Sequence, residues 1–462
     1  MKNPKQDSLR EISYRQATER LMSLADFERS ARHPNHTAFH LNRIRCLMNR
    51  LGDPYLNIPT IHIAGTKGKG STAAMITSIL KAHGHTVGLY TSPALHKMTE
   101  RIRIGLDPIC ERKFAALVEQ IWSISQDVSE EDGFGPVTFF EFITAMAFLC
   151  FQQEDVDYQV IEVGLGGRLD ATNIVYPTVT AITRIMLDHT SVLGTTLSQI
   201  AAEKAGIIKK EAPVVMAPQP LEAAAVFRKT AGLLKTRLVE VGRDITWTKR
   251  NALPGIQSFD VKGRHHHYEA NMHLIGDFQQ ENAVTAIALA ETLMDLGLGL
   301  SKQTVERGLF NVKWPARLQS KFFKDRRLLI DGAHNPHAVR ALVSALRQHF
   351  IFDRALVVFG STRGHNLDGM IAEMEPLCPK LFPVSSRHPR AEPYRIVTEA
   401  AVRKGLDVEI GRAEVSKALN KALRVSSNND IILGTGSLSV AAEILEEIDG
   451  IVPEVYPVID KN

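Results

Sequence analysis

Short apolar runs alternate with segments of helical periodicity along the chain from Pro59 onward. Apolar runs separated by helices and short loops are typical of βαβ units, and they predict a mostly parallel sheet covered by helices on both faces. The predicted strands lie at 61–64, 87–90, 158–162, 178–182 and 213–217, and the predicted helices at 71–82, 140–153 and 197–208.

The pattern is less regular between about Leu221 and Met272. Polar and apolar residues alternate there over stretches such as 244–250 and 265–269, which we interpret as an antiparallel β excursion. A helix is predicted after it, at 281–295.

A proline in a charged break, between Lys313 and Arg317, is the best candidate for an interdomain linker. Beyond it a second alternation of strands and helices predicts a smaller, Rossmann-like α/β domain. Its predicted strands lie at 327–331, 355–360, 381–384, 407–410 and 430–433, and its helices at 337–348, 367–376 and 437–448.

The composition agrees with a globular protein of two or three domains. The chain has 462 residues, of which 44% are hydrophobic and 23% charged, so it can bury a core. Lys and Arg number 55 against 51 Asp and Glu, and the net charge of +4 excludes a strongly basic nucleic-acid-binding protein. The cysteines, at 46, 110, 150 and 378, lack the CxxC spacing of a zinc cage and predict no disulfide framework.

Membrane association and secretion are not predicted either. The longest apolar stretch, at 142–151, is far shorter than the roughly 20 residues of a bilayer span. The segment 8–32 is charged throughout and has no apolar core of a secretory signal. We therefore expect a cytoplasmic protein with no membrane partner and no nucleic-acid partner.

A glycine-rich segment lies between the first predicted strand and its following helix. It consists of Gly65, Thr66, Lys67, Gly68, Lys69, Gly70 and Ser71. Such a loop points backbone N–H groups inward at a helix N-terminus, and Lys69 supplies a cation for the β- and γ-phosphates of a nucleotide. The Walker pattern is incomplete, because Ile63 stands where its first glycine falls and Gly70 follows the lysine. A simple glycine-rich connector is the alternative, but the strand–loop–helix context favours phosphate binding.

Two polar residues follow or end predicted strands of the same sheet. Ser92 lies just past the strand at 87–90, and Glu162 ends the strand at 158–162. Ligands of parallel sheets bind at the carboxyl ends of the strands. A serine before a proline is commonly a turn hydroxyl, whereas a carboxylate at the end of an apolar strand needs a partner.

Taken in order, these and later motifs resemble the folylpolyglutamate synthase and dihydrofolate synthase family, within the Mur ligase superfamily. The resemblance runs from Phe39 to Glu446, and the ordered set is far more specific than any one motif. The segments are Gly65–Ser71, Thr91–Pro93, Glu100–Arg103, Glu162–Asn173, Leu187–His189, Glu203–Ile207, Asn282–Ala283, Arg317 and Asp331–Pro336.

The resemblance implies a P-loop ATPase domain like the central domain of Mur ligases, at 1–312, and a smaller C-terminal domain like theirs, at 313–462. It implies a ligase that uses ATP to add L-glutamate to folates, and also to dihydropteroate, by phosphorylating a carboxylate first. ATP and two Mg²⁺ ions are the expected cofactors. The expected partners are these small molecules only, and the expected state is a monomer.

The resemblance also assigns metal and catalytic roles. Ser92 and Glu162 are expected to hold the Mg²⁺ that bridges the β- and γ-phosphates, and His189 is expected to bind a second Mg²⁺. Lys204 resembles a lysine that CO₂ carbamylates, which turns a cation into an anion able to orient the second metal. Taken alone, His189 is a plain loop histidine and Lys204 a surface lysine. Lys69, His189 and Lys204 form the expected catalytic set.

Four more residues are expected around the nucleotide. Asn282, which opens a predicted helix, resembles the adenine contact, and Arg317 resembles a residue that reaches back to the phosphates. Asp331 ends a strand where a carboxylate can accept from ribose hydroxyls, and His334 lies in the turn beside it. The nucleotide would then lie between two domains whose closure excludes water from the acyl phosphate.

Two segments match those that contact the pteroate part of the substrate in bacterial bifunctional members. Their residues are Thr138, Phe139, Phe140, Glu141, Leu169, Asp170 and Ala171. Phe139 and Phe140 either stack on a pterin or serve as core residues at the start of a helix.

The chain departs from the family pattern at four places. Lys67 replaces an Asn, Ala94 replaces a His, Ala316 replaces a Gly, and Gly364–Asn366 replaces an Asp-Lys-Asp segment. None of these changes removes an expected metal ligand or phosphate-binding group. They bear on substrate handling, above all on glutamate.

Two other functions are weighed against this one. Peptidoglycan-precursor ligases carry a whole UDP-sugar-binding domain before the phosphate loop, and too little chain precedes Gly65 for that. They also place Thr or Ser where this chain has Gly70. A non-catalytic nucleotide-binding regulator is the second alternative. The retention of four residues argues against it: Ser92, Glu162, His189 and Lys204.

Overall fold

The computed structural model describes residues 12–25, 40–131, 133, 135–250, 255–409 and 413–454. Residues 8–11 and 26–32 of the segment 8–32, Phe39 at the start of the family resemblance and Ile410 at the end of a predicted strand lie outside these residues. The described chain forms two α/β units. We call the part up to Asn311 the first unit and the part from Gln319 onward the second unit.

The first unit is built on a sheet of eight strands in the order β4-β3-β2-β5-β1-β6-β7-β8. All neighbours pair in parallel except β3, which pairs antiparallel with both β2 and β4 at one edge. The strands are β1 (Thr60–Ala64), β2 (Val87–Tyr90), β3 (Ile102–Ile104), β4 (Asp107–Pro108), β5 (Tyr158–Glu162), β6 (Val179–Ile182), β7 (Val214–Met216) and β8 (Leu238–Glu240). With β5 on one side of β1 and β6 on the other, a topological switch point falls at the carboxyl end of β1.

Helices cover both faces of this sheet, and a small antiparallel sheet follows it in the chain. The helices are α1 (Tyr14–Ser23), α2 (Asn42–Arg50), α3 (Lys69–His83), α4 (Glu111–Glu130), α5 (Phe139–Gln153), α6 (Thr190–Leu193), α7 (Leu197–Ala205), α8 (Leu221–Leu233), α9 (Asp277–Asp295) and α10 (Lys302–Asn311). The small sheet, in the order β11-β10-β9, consists of β9 (Thr246–Lys249), β10 (Gln257–Lys262) and β11 (His267–Met272).

The second unit has a sheet in the order β12-β13-β17-β14-β15-β16, parallel except for the β12–β13 hairpin. Its strands are β12 (Gln319–Phe323), β13 (Arg326–Ile330), β14 (Ala355–Phe359), β15 (Lys380–Pro383), β16 (Asp407–Val408) and β17 (Ile431–Thr435). Its helices are α11 (Pro336–His349), α12 (Leu367–Met374), α13 (Tyr394–Arg403), α14 (Val415–Val425) and α15 (Leu438–Asp449). The eight-stranded and six-stranded sheets are thus each buried between two layers of helices, and the predicted α/β fold is confirmed.

The structure corrects the sequence interpretation at two places. Residues 221–233, which we assigned to a β excursion, form α8, and β8 then joins the parallel sheet rather than the small one. The antiparallel pairing of β9 to β11 is confirmed. The helix predicted from 281 begins at Asp277, so Asn282 lies in its second turn and does not open it.

The two units are in direct contact. Leu95, in the loop after β2, packs against an apolar cluster of the second unit, and His96 Nδ1 lies 3.2 Å from Glu446 Oε1 of α15. Ile275 and Phe278 extend into another apolar cluster of that unit. The two units therefore contact each other through both an apolar cluster and a polar pair. Within the described chain, no helix is both long and apolar enough to cross a bilayer.

Candidate active site

The glycine-rich loop connects β1 to α3 at the switch point of the first sheet. Gly65 and Gly68 have φ angles of 152° and 90°, and Gly68 is the N-cap of α3. A Cβ atom at Gly65 would lie 1.8 Å from Thr183 Oγ1, and one at Gly68 would lie 2.1 Å from Asn282 Oδ1. Both positions require glycine because the loop is wrapped closely by its neighbours.

The N–H groups of this loop fall into two sets. Those of Thr66 and Lys67 both donate to the Arg184 carbonyl oxygen, at 3.0 and 3.2 Å. Those of the first turn of α3, from Lys69 to Ser71, precede the first intrahelical donor, which is the Thr72 N–H bonded to the Gly68 carbonyl oxygen, so they can meet an anion. Phosphate binding is therefore favoured at the start of α3 rather than along the whole loop.

Lys69, Glu162 and Ser92 come together in front of this helix. Lys69 Nζ lies 3.8 Å from Glu162 Oε1, and the Ser92 backbone N–H donates to Glu162 Oε2 at 3.2 Å. The Glu162 side chain is only 5% exposed, so its charge is poorly solvated and a nearby cation stabilises it. The site thus holds a lysine for phosphate oxygens beside a carboxylate and a serine.

The loop after Glu162 is organised by Asp170. Its Oδ2 accepts from the Leu165 N–H at 2.9 Å, and its Oδ1 accepts from both the N–H and the hydroxyl of Thr172. The Thr172 hydroxyl in turn lies 2.9 Å from Nε2 of the buried His62 on β1. Burial raises the pKa of Asp170. Its carboxylate therefore fixes the loop, with Leu169 half-buried and Ala171 buried on either side.

Lys204 is buried beneath the same loop. Its side chain enters from α7, the residue is 4% exposed, and Nζ lies 3.4 Å from the Gly166 carbonyl oxygen. Gly167 makes this approach possible, because a Cβ there would lie 2.8 Å from the Glu203 carbonyl oxygen. Burial, aided by the charge of Lys69, lowers the pKa of Lys204 to about 7. A large fraction of this amine is therefore neutral near pH 7.

A second group of charges connects the loop to the second unit. Lys67 Nζ donates to Asp188 Oδ2 at 3.0 Å and lies 2.8 Å from His334 Nε2. His189, next to Asp188, has a φ angle of 49° and a side chain that is 56% exposed. His189 thus lies at the cleft beside the loop, next to the Asp188 carboxylate.

Asp331 and its neighbours lie where the chain passes from the first unit into the second. Asp331 accepts from the Leu318 N–H and from the Ala333 N–H, both at 2.8 Å, and burial raises its pKa. A Cβ at Gly332 would lie 3.0 Å from a guanidinium nitrogen of Arg317. Asp331 therefore fastens the linker to the sheet, and its carboxylate is turned toward backbone amides.

Three side chains with extensive contacts were not predicted individually as site residues from the sequence: Trp314, Arg103 and Glu100. The Arg103 guanidinium stacks over the Trp314 ring at 5.2 Å, and Trp314 Nε1 would lie 3.5 Å from a Cβ at Gly70. Glu100 accepts from three successive N–H groups, those of Leu95, His96 and Lys97. A lone tryptophan in the linker was the available signal, since a large aromatic is rarely left without packing.

The residues of the expected pteroate segment 138–141 also make contacts within the protein. Thr138 and Glu141 form the capping box of α5, and Glu141 Oε2 also accepts from Arg43 Nε at 2.7 Å. Phe139 is fully buried in the core. Phe140 is half-buried, and its ring lies where a Cβ at Gly164 would meet it at 2.4 Å. Phe140 is therefore the one of the two phenylalanines that borders the loop after Glu162.

We predict that Glu141→Ala lowers the free energy of unfolding by about 3–5 kcal/mol, because it leaves the buried Arg43 guanidinium without this carboxylate. The side chains of the pair are only 8% and 7% exposed. Chemical denaturation would measure the loss. Glu154→Ala is the control, since Glu154 ends the same helix in an exposed pair with Lys113 and should cost about 0–1 kcal/mol. Equal losses in the two variants would contradict the structural role of Glu141.

The comparisons with known proteins bear directly on this arrangement. The family model of the Mur ligase middle domain matches residues 123–290, and that of the Mur ligase glutamate ligase domain matches residues 316–438. A dihydrofolate synthase/folylpolyglutamate synthase of Bacillus subtilis is 34% identical over 411 residues, which cover 88% of this chain and 94% of that protein.

Two solved structures support the same family assignment. The Mycobacterium tuberculosis folylpolyglutamate synthase complexed with ADP is 30% identical, has a TM-score of 0.86, and is aligned over 96% of this chain and 99% of its own. E. coli FolC in complex with DHPP and ADP is 28% identical, with a TM-score of 0.82 and coverage of 95% and 98%. The fold and the phosphate loop define a Mur ligase. Within that superfamily, the chain belongs to the folylpolyglutamate synthase family, and the resemblance found in the sequence is confirmed.

Proposed function

We propose that this protein is an ATP-dependent ligase that adds L-glutamate to folates, and also to dihydropteroate. The observation that carries the proposal is the placement of Lys69 3.8 Å from the buried carboxylate of Glu162, beside Ser92, at the switch point of the first sheet. The relatives named above match nearly the whole length of the chain and support this substrate class.

The reaction has two steps. A carboxylate oxygen of the folate or dihydropteroate attacks the γ-phosphorus of ATP, and ADP leaves. The glutamate amine then attacks the acyl carbon, loses its proton, and expels phosphate together with that oxygen. Lys69 and the first amides of α3 stabilise the negative charge on the transferred phosphoryl group.

Closure of the two units over the site would exclude water from the acyl phosphate. His96 meets Glu446 across the cleft, and Leu95 packs into the apolar cluster of the second unit. We propose that residues 1–312 and 313–462 are the two domains that close, with the nucleotide between them. In this arrangement four residues border the nucleotide, because each lies at the glycine-rich loop or at the linker between the units. They are Asn282, Arg317, Asp331 and His334.

The residues beside the loop fit magnesium by their chemistry. Glu162 offers a buried carboxylate and Ser92 a hydroxyl, which are the hard oxygen donors that this ion prefers. Across the described residues, no group of three or more His, Cys, Asp and Glu side chains converges as a metal cage, so nucleotide oxygens and waters would complete the shell. When bound, Mg²⁺ would neutralise charge on the β- and γ-phosphates.

We propose that a second ion is held by His189 and by a carbamate on Lys204. Carbamylation joins the carbon of CO₂ to Nζ and releases a proton, so it needs the neutral amine. The burial that lowers the pKa of Lys204 to about 7 supplies that amine. For the pteroate part, the half-buried Phe140 beside Gly164 is the best-placed aromatic contact. We further propose a cytoplasmic monomer.

Phosphate release measured on the purified protein tests the function. We expect release with ATP, L-glutamate and either dihydropteroate or tetrahydrofolate, and background release when glutamate or the pterin substrate is left out. Release with a UDP-muramyl substrate alone would overturn the folate assignment. Release with none of these pairs would instead favour a nucleotide-binding regulator.

A further inference from the structure

Two departures from the family pattern converge on one histidine. Lys67 of the loop lies 2.8 Å from His334 Nε2, and the rings of His334 and His365 meet edge-on with their centroids 5.4 Å apart. Lys67 and His365 lie in different units and are both replacements of the family residues. His334 is thus held from the first unit by one replacement and from its own unit by the other.

The hydrogen-bond partners fix the state of His334. Its Nδ1 lies 2.9 Å from the Gly332 carbonyl oxygen and must donate to it, so Nε2 carries the lone pair. Nε2 can therefore accept a hydrogen bond from an ammonium, and Lys67 Nζ lies at hydrogen-bond distance from it. Burial and the charge of Lys67 lower the pKa of His334 to about 3, in agreement with a neutral ring.

Lys67 itself is held by one anion among several cations. Its ammonium donates to Asp188, whereas Lys69 and Arg317 oppose its charge. The backbone N–H of Lys67 is already bonded to the Arg184 carbonyl oxygen. The main chain and the ammonium of this residue both contact protein groups, and the contact of the ammonium with His334 connects the two units.

We infer that Lys67 is a positioning residue that fastens the second unit to the phosphate loop through His334. The His365 ring packs edge-on against His334 and stabilises its position. The inference deepens the proposed function, because it assigns the residue that holds the cleft closed over the acyl phosphate. Lys67→Met keeps the length of the side chain and removes the ammonium, so it isolates this contact.

The distance between the units tests the inference without any turnover. Cys110 and Cys378 are both exposed, one in each unit, and can carry a donor and an acceptor dye once Cys46 is changed to Ser. We expect Lys67→Met and His365→Ala each to shift or broaden the distance distribution measured by single-molecule energy transfer with ADP bound. Lys81→Met, in an exposed pair on α3, should leave it unchanged.

Kinetics provide the second readout. We expect Lys67→Met to lower kcat about tenfold or more while nucleotide affinity changes by less than about threefold. A distance distribution equal to that of the unchanged protein in both variants would overturn the inference. A tenfold loss of nucleotide affinity with an unchanged distribution would also overturn it, because Lys67 would then act on phosphate. Absence of ligation would refute the proposed function but leave the distance result standing.

Discussion

Replacing Lys204 by Ala is expected to lower turnover about a hundredfold or more while nucleotide binding stays nearly unchanged, because a residue that orients a metal ion acts on the reaction rather than on ATP affinity. Lys204→Arg should be equally inactive. Arginine keeps the positive charge but cannot supply a neutral amine, so this variant separates carbamylation from a simple electrostatic role. Turnover would be measured as ADP formation, and affinity with a fluorescent nucleotide.

Lys210→Ala is the matched control, since Lys210 lies a few residues further along and is exposed in a pair with Glu211. Carbamate on the unchanged protein should be visible as a ¹³C resonance after incubation with labelled bicarbonate, and absent in Lys204→Ala. Its occupancy should rise as pH rises from 6 to 8, because the fraction of neutral amine increases through a pKa of about 7. An active Lys204→Arg variant would contradict the assigned role.

Lys69→Met is expected to be the most damaging change to the loop. Removing the ammonium should weaken nucleotide binding about 10- to 100-fold and lower turnover about 10²- to 10³-fold, since charge on the transferred phosphoryl group loses its closest side-chain cation. Lys81→Met, on the exposed face of the same helix, should behave like the unchanged protein. Nucleotide titration and steady-state phosphate release measure the two effects.

A Lys69→Met variant with normal kcat/KM would show that the backbone amides of α3 alone bind the phosphates. Loss of folding is distinguished by the melting curve. We expect Lys69→Met to unfold in one cooperative transition at a lower melting temperature than Lys81→Met, because the buried Glu162 carboxylate loses this neighbouring cation.

The fold followed from periodicity where side chains are large and apolar. The predicted bounds of β2 and β5 agree with the structure at both ends, because each is a short buried run next to a turn or helix. The interpretation failed at α8, whose buried face is mostly alanine, at positions 223, 224 and 231. Small side chains give a weak hydrophobic pattern, so tertiary packing decided this segment.

The candidate site could be predicted only as far as local motifs extend. The loop, Glu162 and Lys204 were found from their motifs, but the burial of Lys204 under Gly166 was not readable from spacing. Lys67 and His334 are 267 positions apart in the chain, and only the folded structure shows that they meet. Asp170 and Asp331 stay expected ligand contacts, and the structure adds that their oxygens accept from neighbouring backbone amides, which a single sequence does not reveal.

The most direct test of the account follows the carboxylate oxygen through the reaction. A folate or dihydropteroate labelled with ¹⁸O in its carboxylate would be incubated with ATP, L-glutamate and the purified protein, and phosphate and product would be analysed by mass spectrometry. We predict that a labelled oxygen appears in the phosphate for each glutamate ligated, and that the product gains one glutamyl residue. Unlabelled phosphate would contradict the proposal that this site forms an acyl phosphate and passes it to glutamate. Recovery of the labelled substrate with no glutamyl residue attached, in the complete reaction, would contradict it as well.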